Sequence, residues 1–295
     1  MPELPEVETV KRGLVPLIVG KRVLSVDFDW PKSFPNAPKD VEQFLLGAQI
    51  TGVVRRAKVL MIHLASGYSL VVHLKMTGQL VYRSNNNKAR FGAGHPNDSL
   101  VGELPDKSTR VILQLEGAKL FFNDQRKFGY MKLVPTIEIP HIDFFKKVGP
   151  EPLENTFSSL DFKRRVQRRA NTSIKAALLD QSVLAGIGNI YADESLWGAR
   201  IHPATLVRDV SAVKLTRLLQ AIKQVLTFAI EQGGSTDRNY VNHDGKRGSY
   251  LNFARVFRKE NEPCPRCGTI IQKIRVAGRG THFCPKCQVY KRNKM

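Results

Sequence analysis

Four cysteines and one proline are the residues whose types and placement suggest chemistry. Cys264-Pro-Arg-Cys267 and Cys284-Pro-Lys-Cys287 stand 16 residues apart, and the chain has no other cysteine. The spacing Cys-x2-Cys-x16-Cys-x2-Cys falls in the range of tetrathiolate zinc sites. Each pair offers two thiolates to one tetrahedral ion, and Gly268 permits the tight turn after the first pair. Four protein ligands leave no open position, so one structural, non-catalytic Zn2+ is expected. A tail this short cannot build its own core, so metal binding would drive its folding. Thiols clustered at one end also argue against a disulfide-stapled secreted fold.

At the other end, Pro2 is a small residue that allows removal of Met1, which would leave a secondary amine. A free α-amine titrates near 8, against about 10.4 for lysine, so more of it is neutral and nucleophilic at neutral pH. Proline's extra alkyl group narrows that gap. Attack on an aldehydic carbon would give a cationic iminium, an electron sink for elimination. Glu3 beside it is a candidate general acid. A retained Met1 would convert the same nitrogen into an amide with no nucleophilic capacity. A second-position proline is commonplace and proves nothing alone.

Residues 5–19 place Val7, Val10, Leu14 and Leu17 at helical spacing, with Glu3 and Glu6 at the start where the helix dipole favours negative charge. Residues 50–82 read as strands: Val59–Leu64, a turn at Ala65-Ser66-Gly67, then Tyr68–Met76. A further hairpin is predicted at Val111–Leu115 and Lys119–Phe122, with another strand at Gly129–Val134. The polar stretch 83–108 reads as a long mobile loop, and 135–154 as a proline-rich linker. Helical periodicity follows at Leu160–Ala170, Ile174–Asp180, Ile190–Ala199 and Ser211–Glu231, the last capped by Ser211 and ended by Gly233-Gly234. Residues 235–254 read as loop. The expected fold is multidomain α+β: an N-terminal β-sandwich flanked by helices (1–135), a helical domain (136–254) and a zinc ribbon (255–295).

The chain has 295 residues and a net charge of +20. Hydrophobic residues make up 42%, enough for a real core, which excludes wholesale disorder. Such charge points to a polyanion, nucleic acid first and an anionic membrane surface second. No apolar run suggests a transmembrane helix, and the acidic start is unlike a secretory signal, so a cytosolic protein is expected. Two blocks hold much of the excess. Residues 162–175 contain six basic residues and no acid, and residues 264–295 contain eight and no acid. The first leads into Gly186-Ile-Gly188-Asn189, a tight turn between two helices whose backbone N–H groups can take a phosphate. In the second, Arg279 lies between glycines 278 and 280, on a loop joining the cysteine pairs.

MPELPEVETVKRGL resembles the N-terminal signature of the formamidopyrimidine-DNA glycosylase family, which excises oxidised purines. RRAKVL (55–60), KMTGQL (75–80), DQRKFG (124–129), VGPEPL (148–153), LLDQSVLAGIGNIYADE (178–194) and EQGGST (231–236) follow in that family's order, and the zinc ribbon completes it. Leu4-Pro5 favours this branch over the related endonuclease VIII branch. The helical domain would then be a helix-two-turns-helix module.

The resemblance implies roles. Pro2 would attack C1′ of the damaged nucleoside, and Glu3 would protonate the sugar or assist ring opening. Lys58, on a strand, would donate the proton in β-elimination, and Arg279 would serve δ-elimination and hold phosphate. Met76, Arg126 and Phe128 would fill the gap left by the extruded base. Lys175 and Asn189 would contact the DNA backbone. Ser108 and Asn171 occupy positions where the family commonly carries a phosphate-contacting His and Lys; Arg110, Arg168 or Arg169 could compensate. Residues 233–250 would cover the flipped base.

The expected activity is base-excision repair of 8-oxoguanine and formamidopyrimidines with β,δ-lyase cleavage, on double-stranded DNA, by a monomer in the bacterial cytoplasm at the nucleoid. The alternatives are an oxidised-pyrimidine glycosylase and a non-catalytic zinc-ribbon DNA-binding protein.

Overall fold

The computed structural model describes residues 2–86, 88–95, 97–235 and 250–290. The chain packs as two compact units, Met1–Lys146 with Ile230–Ser249, and Lys147–Ala229 with Tyr250–Met295.

The first unit opens with helix α1, Leu4–Ile18. Pro5 suits the first turn, where its missing N–H has no partner to lose. The Glu6 carboxylate reaches back to accept the Glu3 backbone N–H at 2.7 Å, a capping contact that fixes the helix start. Leu4, Val7, Val10, Leu14 and Ile18 form one fully buried stripe. Val7, Val10, Leu14 and Ile18 share a core with two antiparallel sheets.

The strands are β1 (Val23–Phe28), β2 (Ile50–Arg56), β3 (Val59–Leu64), β4 (Tyr68–His73), β5 (Gly78–Ser84), β6 (Arg90–Gly94), β7 (Thr109–Leu115), β8 (Ala118–Asp124) and β9 (Tyr130–Pro135). A short helix α2 (Pro38–Asp40), continued as a helical turn over Val41–Leu45, precedes β2. One sheet has the order β1-β7-β8-β5-β6 and the other β2-β3-β4-β9. Leu60, Ile62, Leu70 and Val72 of one sheet and Leu80, Leu113, Leu120 and Phe122 of the other belong to the same core. This is the expected sandwich.

Two expectations change here. The stretch 83–108 is not one long loop: β6 pairs with β5, with Leu80↔Ala93 and Tyr82↔Phe91 in register. The strand is short and broken by Gly92 and Gly94, so it left no alternating pattern to read. Phe91 anchors it by pressing its ring onto Gly13 of α1, where any Cβ would collide. The stretch after β9 is also not a bare linker. It forms a 3-10 turn, Thr136–His141, and helix α3, Asp143–Lys147. Ile139 and Phe144 there pack over Val59, Met61, Val71 and Val134 on the outer face of the four-stranded sheet.

The second unit contains α4 (Ser159–Gln167), α5 (Ile174–Leu179), α6 (Asn189–Ala199), α7 (Ala212–Glu231), a 3-10 turn at Tyr250–Phe253, and the hairpin β10 (Gln272–Val276) and β11 (Arg279–Phe283). Ser158 caps α4, its hydroxyl accepting the Asp161 N–H at 3.1 Å. Glu194 of α6 is fully buried and accepts the backbone N–H groups of Arg255, Val256 and Phe257. Burial pushes its carboxyl pKa up despite these bonds. Among the described residues, no helix is long and apolar enough to cross a membrane.

Candidate functional site

Pro2 and Glu3 are both buried at the start of α1. Glu6 is the bracket that holds this end. One oxygen takes the Glu3 N–H, and the other accepts the Ser235 N–H at 2.6 Å. Gly234 (φ +82°) lies so close to Glu6 that a Cβ would stand 2.9 Å from its carboxylate oxygen. Residues 236–249, the rest of the expected covering loop, and Met1 lie outside the described residues.

One turn further along α1, Glu8 receives Lys11 at 2.8 Å and Arg55 at 2.9 Å. Burial alone would raise this carboxyl; hydrogen bonds and charge from Lys11 and Arg55 outweigh it and hold the pKa below the ordinary range. Arg55 also donates to the Ala57 carbonyl at 2.9 Å. The helix that carries Pro2 and Glu3 is thereby tied to the turn that carries Lys58. Lys58 does not sit on a strand. Arg56 pairs with Val59, so Ala57 (φ +53°) and Lys58 form the two-residue turn between β2 and β3. Lys58 is 6% exposed.

His73, which sequence reading passed over, belongs to this region. Burial and the charges of Lys75 and Lys58 bring its pKa down to about 3. Its Nδ1 accepts the Lys75 N–H at 3.0 Å, so the neutral ring carries its proton on Nε2.

Met76 is half-buried in the connection from β4 to β5, while Arg126 and Phe128 are exposed on the turn after β8. The Arg126 guanidinium lies over the Phe128 ring, 4.9 Å from its centroid. Asp124 does not face Arg126 as an ion-pair partner. Its carboxylate accepts backbone N–H groups, from Phe128 at 2.8 Å and Gly129 at 2.6 Å. Ser108 and Arg110 both turn inward here. Ser108 is 2% exposed and its hydroxyl donates to Asp106 at 2.7 Å. Arg110, a possible substitute, is buried and donates to Asp29, the Lys107 carbonyl and the Asp124 carbonyl.

In the second unit, α6 begins at Asn189, with Gly188 as its N-cap. Asn189 is thus the first residue of the second helix. Its Nδ2 donates to the Gly280 carbonyl at 3.0 Å, and its buried Oδ1 has no hydrogen-bond partner. Lys175, expected on the phosphate backbone, is fully buried. Its Nζ contacts Asp193 at 2.6 Å, Thr281 Oγ1 at 2.8 Å and the Gly280 carbonyl at 3.3 Å. Desolvating an ammonium is costly without such partners, so this charge is inside because Asp193 is. It supports the ribbon turn instead of presenting itself at the surface. Arg279 opens β11 beside that turn and is exposed. Asn171 is exposed and accepts from Arg208 at 2.9 Å. Arg169 pairs with Asp180 at 2.5 Å.

The sulfur atoms of Cys264, Cys267, Cys284 and Cys287 all lie within 4.8 Å of one another. Sulfur–sulfur separations of 4.0 Å and 3.5 Å bracket the roughly 3.8 Å edge of a tetrahedron with Zn–S bonds of about 2.3 Å. Gly268 sits at φ +71° after the first pair, as its position requires. The four thiols fit one structural zinc ion.

Known proteins agree with this layout. The "Formamidopyrimidine-DNA glycosylase N-terminal domain" family matches residues 1–131, its "H2TH domain" matches 148–240, and the "Zinc finger found in FPG and IleRS" matches 261–289. The formamidopyrimidine-DNA glycosylase of Desulforamulus reducens is 41% identical over 292 residues, covering 98% of this chain and 99% of that protein. A variant of the Lactococcus lactis enzyme bound to Fapy-dG-containing DNA superposes with a TM-score of 0.86 at 35% identity, over 98% of this chain and all of that one. The same enzyme with abasic-site DNA gives 0.85 over the same shares.

Proposed function

The chain belongs to the formamidopyrimidine-DNA glycosylase family, and on that premise we propose that it excises oxidised purines, formamidopyrimidines and 8-oxoguanine, from duplex DNA and then cleaves the strand at the abasic site. The observation that carries this reading is the corner where the Pro2–Glu3 end and the Lys58 turn are joined through Glu8, Arg55 and Ala57. Ser235, at the mouth of the expected covering loop, is held to the same helix end by Glu6.

With Met1 removed, the Pro2 nitrogen attacks C1′ as the base departs, and Glu3 supplies the proton that opens the sugar ring. The resulting iminium draws electrons from C2′–H, and the 3′ phosphate leaves by β-elimination with Lys58 donating a proton. Arg279 holds phosphate and assists the second elimination. Met76, Arg126 and Phe128 occupy the space vacated by the base, recovering part of the few kcal/mol lost on unstacking. The three-part division 1–135, 136–254 and 255–295 is part of this reading, as are a monomeric state and work at the nucleoid in the bacterial cytoplasm. Zinc folds the ribbon and takes no chemical step.

Borohydride trapping tests the mechanism. The processed protein should give a covalent adduct with an 8-oxoguanine duplex, and a form retaining Met1 should give none. An undiminished adduct from the blocked form would refute a Pro2 nucleophile. A faster release of thymine glycol than of 8-oxoguanine would favour the pyrimidine alternative.

A further inference from the structure

Met76 lies on one loop and Arg126 and Phe128 on another, yet all three must enter the same gap. We propose that the buried contact between Thr77 and Asp124 is the positioning element that fixes these three side chains relative to one another. The inference rests on the gap-filling reading above and names the residues that make it work.

Asp124 ends β8, is fully buried, and has every polar atom engaged. Its N–H donates to the Ser108 carbonyl at 2.7 Å, and its carbonyl accepts from Arg110 Nε at 2.9 Å. One carboxylate oxygen accepts the Thr77 hydroxyl and the Arg126 N–H at 3.2 Å; the other accepts the N–H groups of Phe128 and Gly129. Thr77 Oγ1 also accepts the Arg126 N–H, at 3.0 Å. The N–H before the arginine wedge is thus shared between a residue of its own turn and the residue next to Met76. Bonds from uncharged donors to a carboxylate are stronger and shorter than neutral ones, so the link between the two loops is stiff.

Two further features hold the turn in an extruded shape. Lys127 adopts φ +59° and lays its ammonium over the Trp30 ring, 4.5 Å from the centroid. Gly129 admits no side chain, since a Cβ would stand 2.6 Å from Phe122 and 3.1 Å from the Asp124 carboxylate. Phe128 remains 55% exposed. An exposed phenyl ring on a fixed turn is preorganised for a partner that covers it, and here that partner is the base stack. The inward turn of Ser108 and Arg110 also acquires a purpose, because both hold the Asp124 backbone.

Thr77→Val keeps the shape and removes the hydroxyl; Thr77→Ser returns it. A small displacement of preorganised groups is expected to lower kcat/KM on an 8-oxoguanine duplex by about tenfold to hundredfold in Thr77→Val, with recovery in Thr77→Ser. Cleavage of an abasic site in single-stranded DNA, which has no stack to fill, should stay within about twofold. In a Met76→Ala, Arg126→Ala, Phe128→Ala background, Thr77→Val should cost nothing more, whereas general damage to the fold would still show. If the alanine variants leave duplex excision intact, the gap-filling reading fails. If they lower it but Thr77→Val does not, or lowers both substrates equally, the positioning pair is overturned. Should Thr77→Val fail to fold, Thr77→Ala carries the same expectations.

Discussion

Two turns present an arginine to the outside, and they are braced with opposite polarity. The turn bearing Arg126 is built around a carboxylate: Asp124 gathers the N–H groups of Arg126, Phe128 and Gly129. The turn beside Arg279, Ala277-Gly278, is held through a carbonyl: Gly280 O accepts from Lys175 Nζ and Asn189 Nδ2. The first is self-contained, since its brace comes from the ends of neighbouring strands in one sheet. The second depends on helices α5 and α6 and on a hairpin whose folding depends on metal. The comparison teaches that an exposed arginine can be placed on a rigid backbone either way, with different vulnerabilities. The Arg126 turn should survive events that destroy the ribbon turn.

The largest expected effect comes from the metal. Structural zinc contributes about 10–16 kcal/mol in small zinc domains, more than such a segment has from any other source. Cys267→Ser is therefore expected to abolish DNA binding in a gel-shift assay, while far-ultraviolet circular dichroism retains the β signal of the first unit. Loss of the entire β signal would show that the two turns are not independently braced.

Next in size is the buried ion pair. Lys175→Met takes the ammonium from a buried Asp193 carboxylate, leaving it the His282 N–H at 2.9 Å and the His282 ring at 3.3 Å; removing one partner of a buried ion pair costs about 3–5 kcal/mol. Urea denaturation should show that loss for Lys175→Met, and much less for the double change Lys175→Met with Asp193→Leu. DNA affinity should remain low in both, because neither restores the ammonium at Gly280 and Thr281. Full affinity in the double variant would mean that the ribbon turn does not need this brace.

The same contrast explains what could be read in advance. The zinc spacing and the helices were legible because both are local periodicities. Strand β1 was not, because it has only one fully buried residue, Val23, and shows no alternation. The burial of Lys175 is hidden for a deeper reason. In a run of basic residues it looks like its neighbours, and only Asp193 and Thr281, distant in sequence, make its burial affordable. Ser108, Arg110 and Asp124 share that problem: their partners are set by strand pairing. The sequence order of motifs points to Pro2, Glu3, Arg126 and Arg279 as candidates, but Glu6, Arg55, Thr77 and Asp124, which brace the elements around them, are visible only in three dimensions.

Salt dependence separates the two arginines. Contacts to about six phosphates would give a log–log slope of roughly −5, and losing one phosphate contact changes it by about 1. Arg279→Ala should flatten the slope by that amount. Arg126→Ala should leave the slope intact and lower excision from duplex DNA. Equal slopes in both variants would remove the distinction between a grip and a wedge.

The smallest effect lies at the corner behind Pro2. Glu8 has a folded-state pKa below its ordinary value of 4.5, because Lys11 and Arg55 outweigh the cost of burying it. A carboxyl depressed on folding contributes stability that is complete above the unfolded value and disappears as pH falls through the folded one. In Glu8→Gln that contribution is absent at every pH. Urea unfolding should therefore show wild type more stable than Glu8→Gln at pH 7, with the gap closing as pH falls below 4.5. A gap that stays constant down to the acid transition would mean that the Glu8–Arg55 link is held by packing alone. In that case the tie between the Pro2 end and the Lys58 turn would be steric, and mild acid would not loosen it.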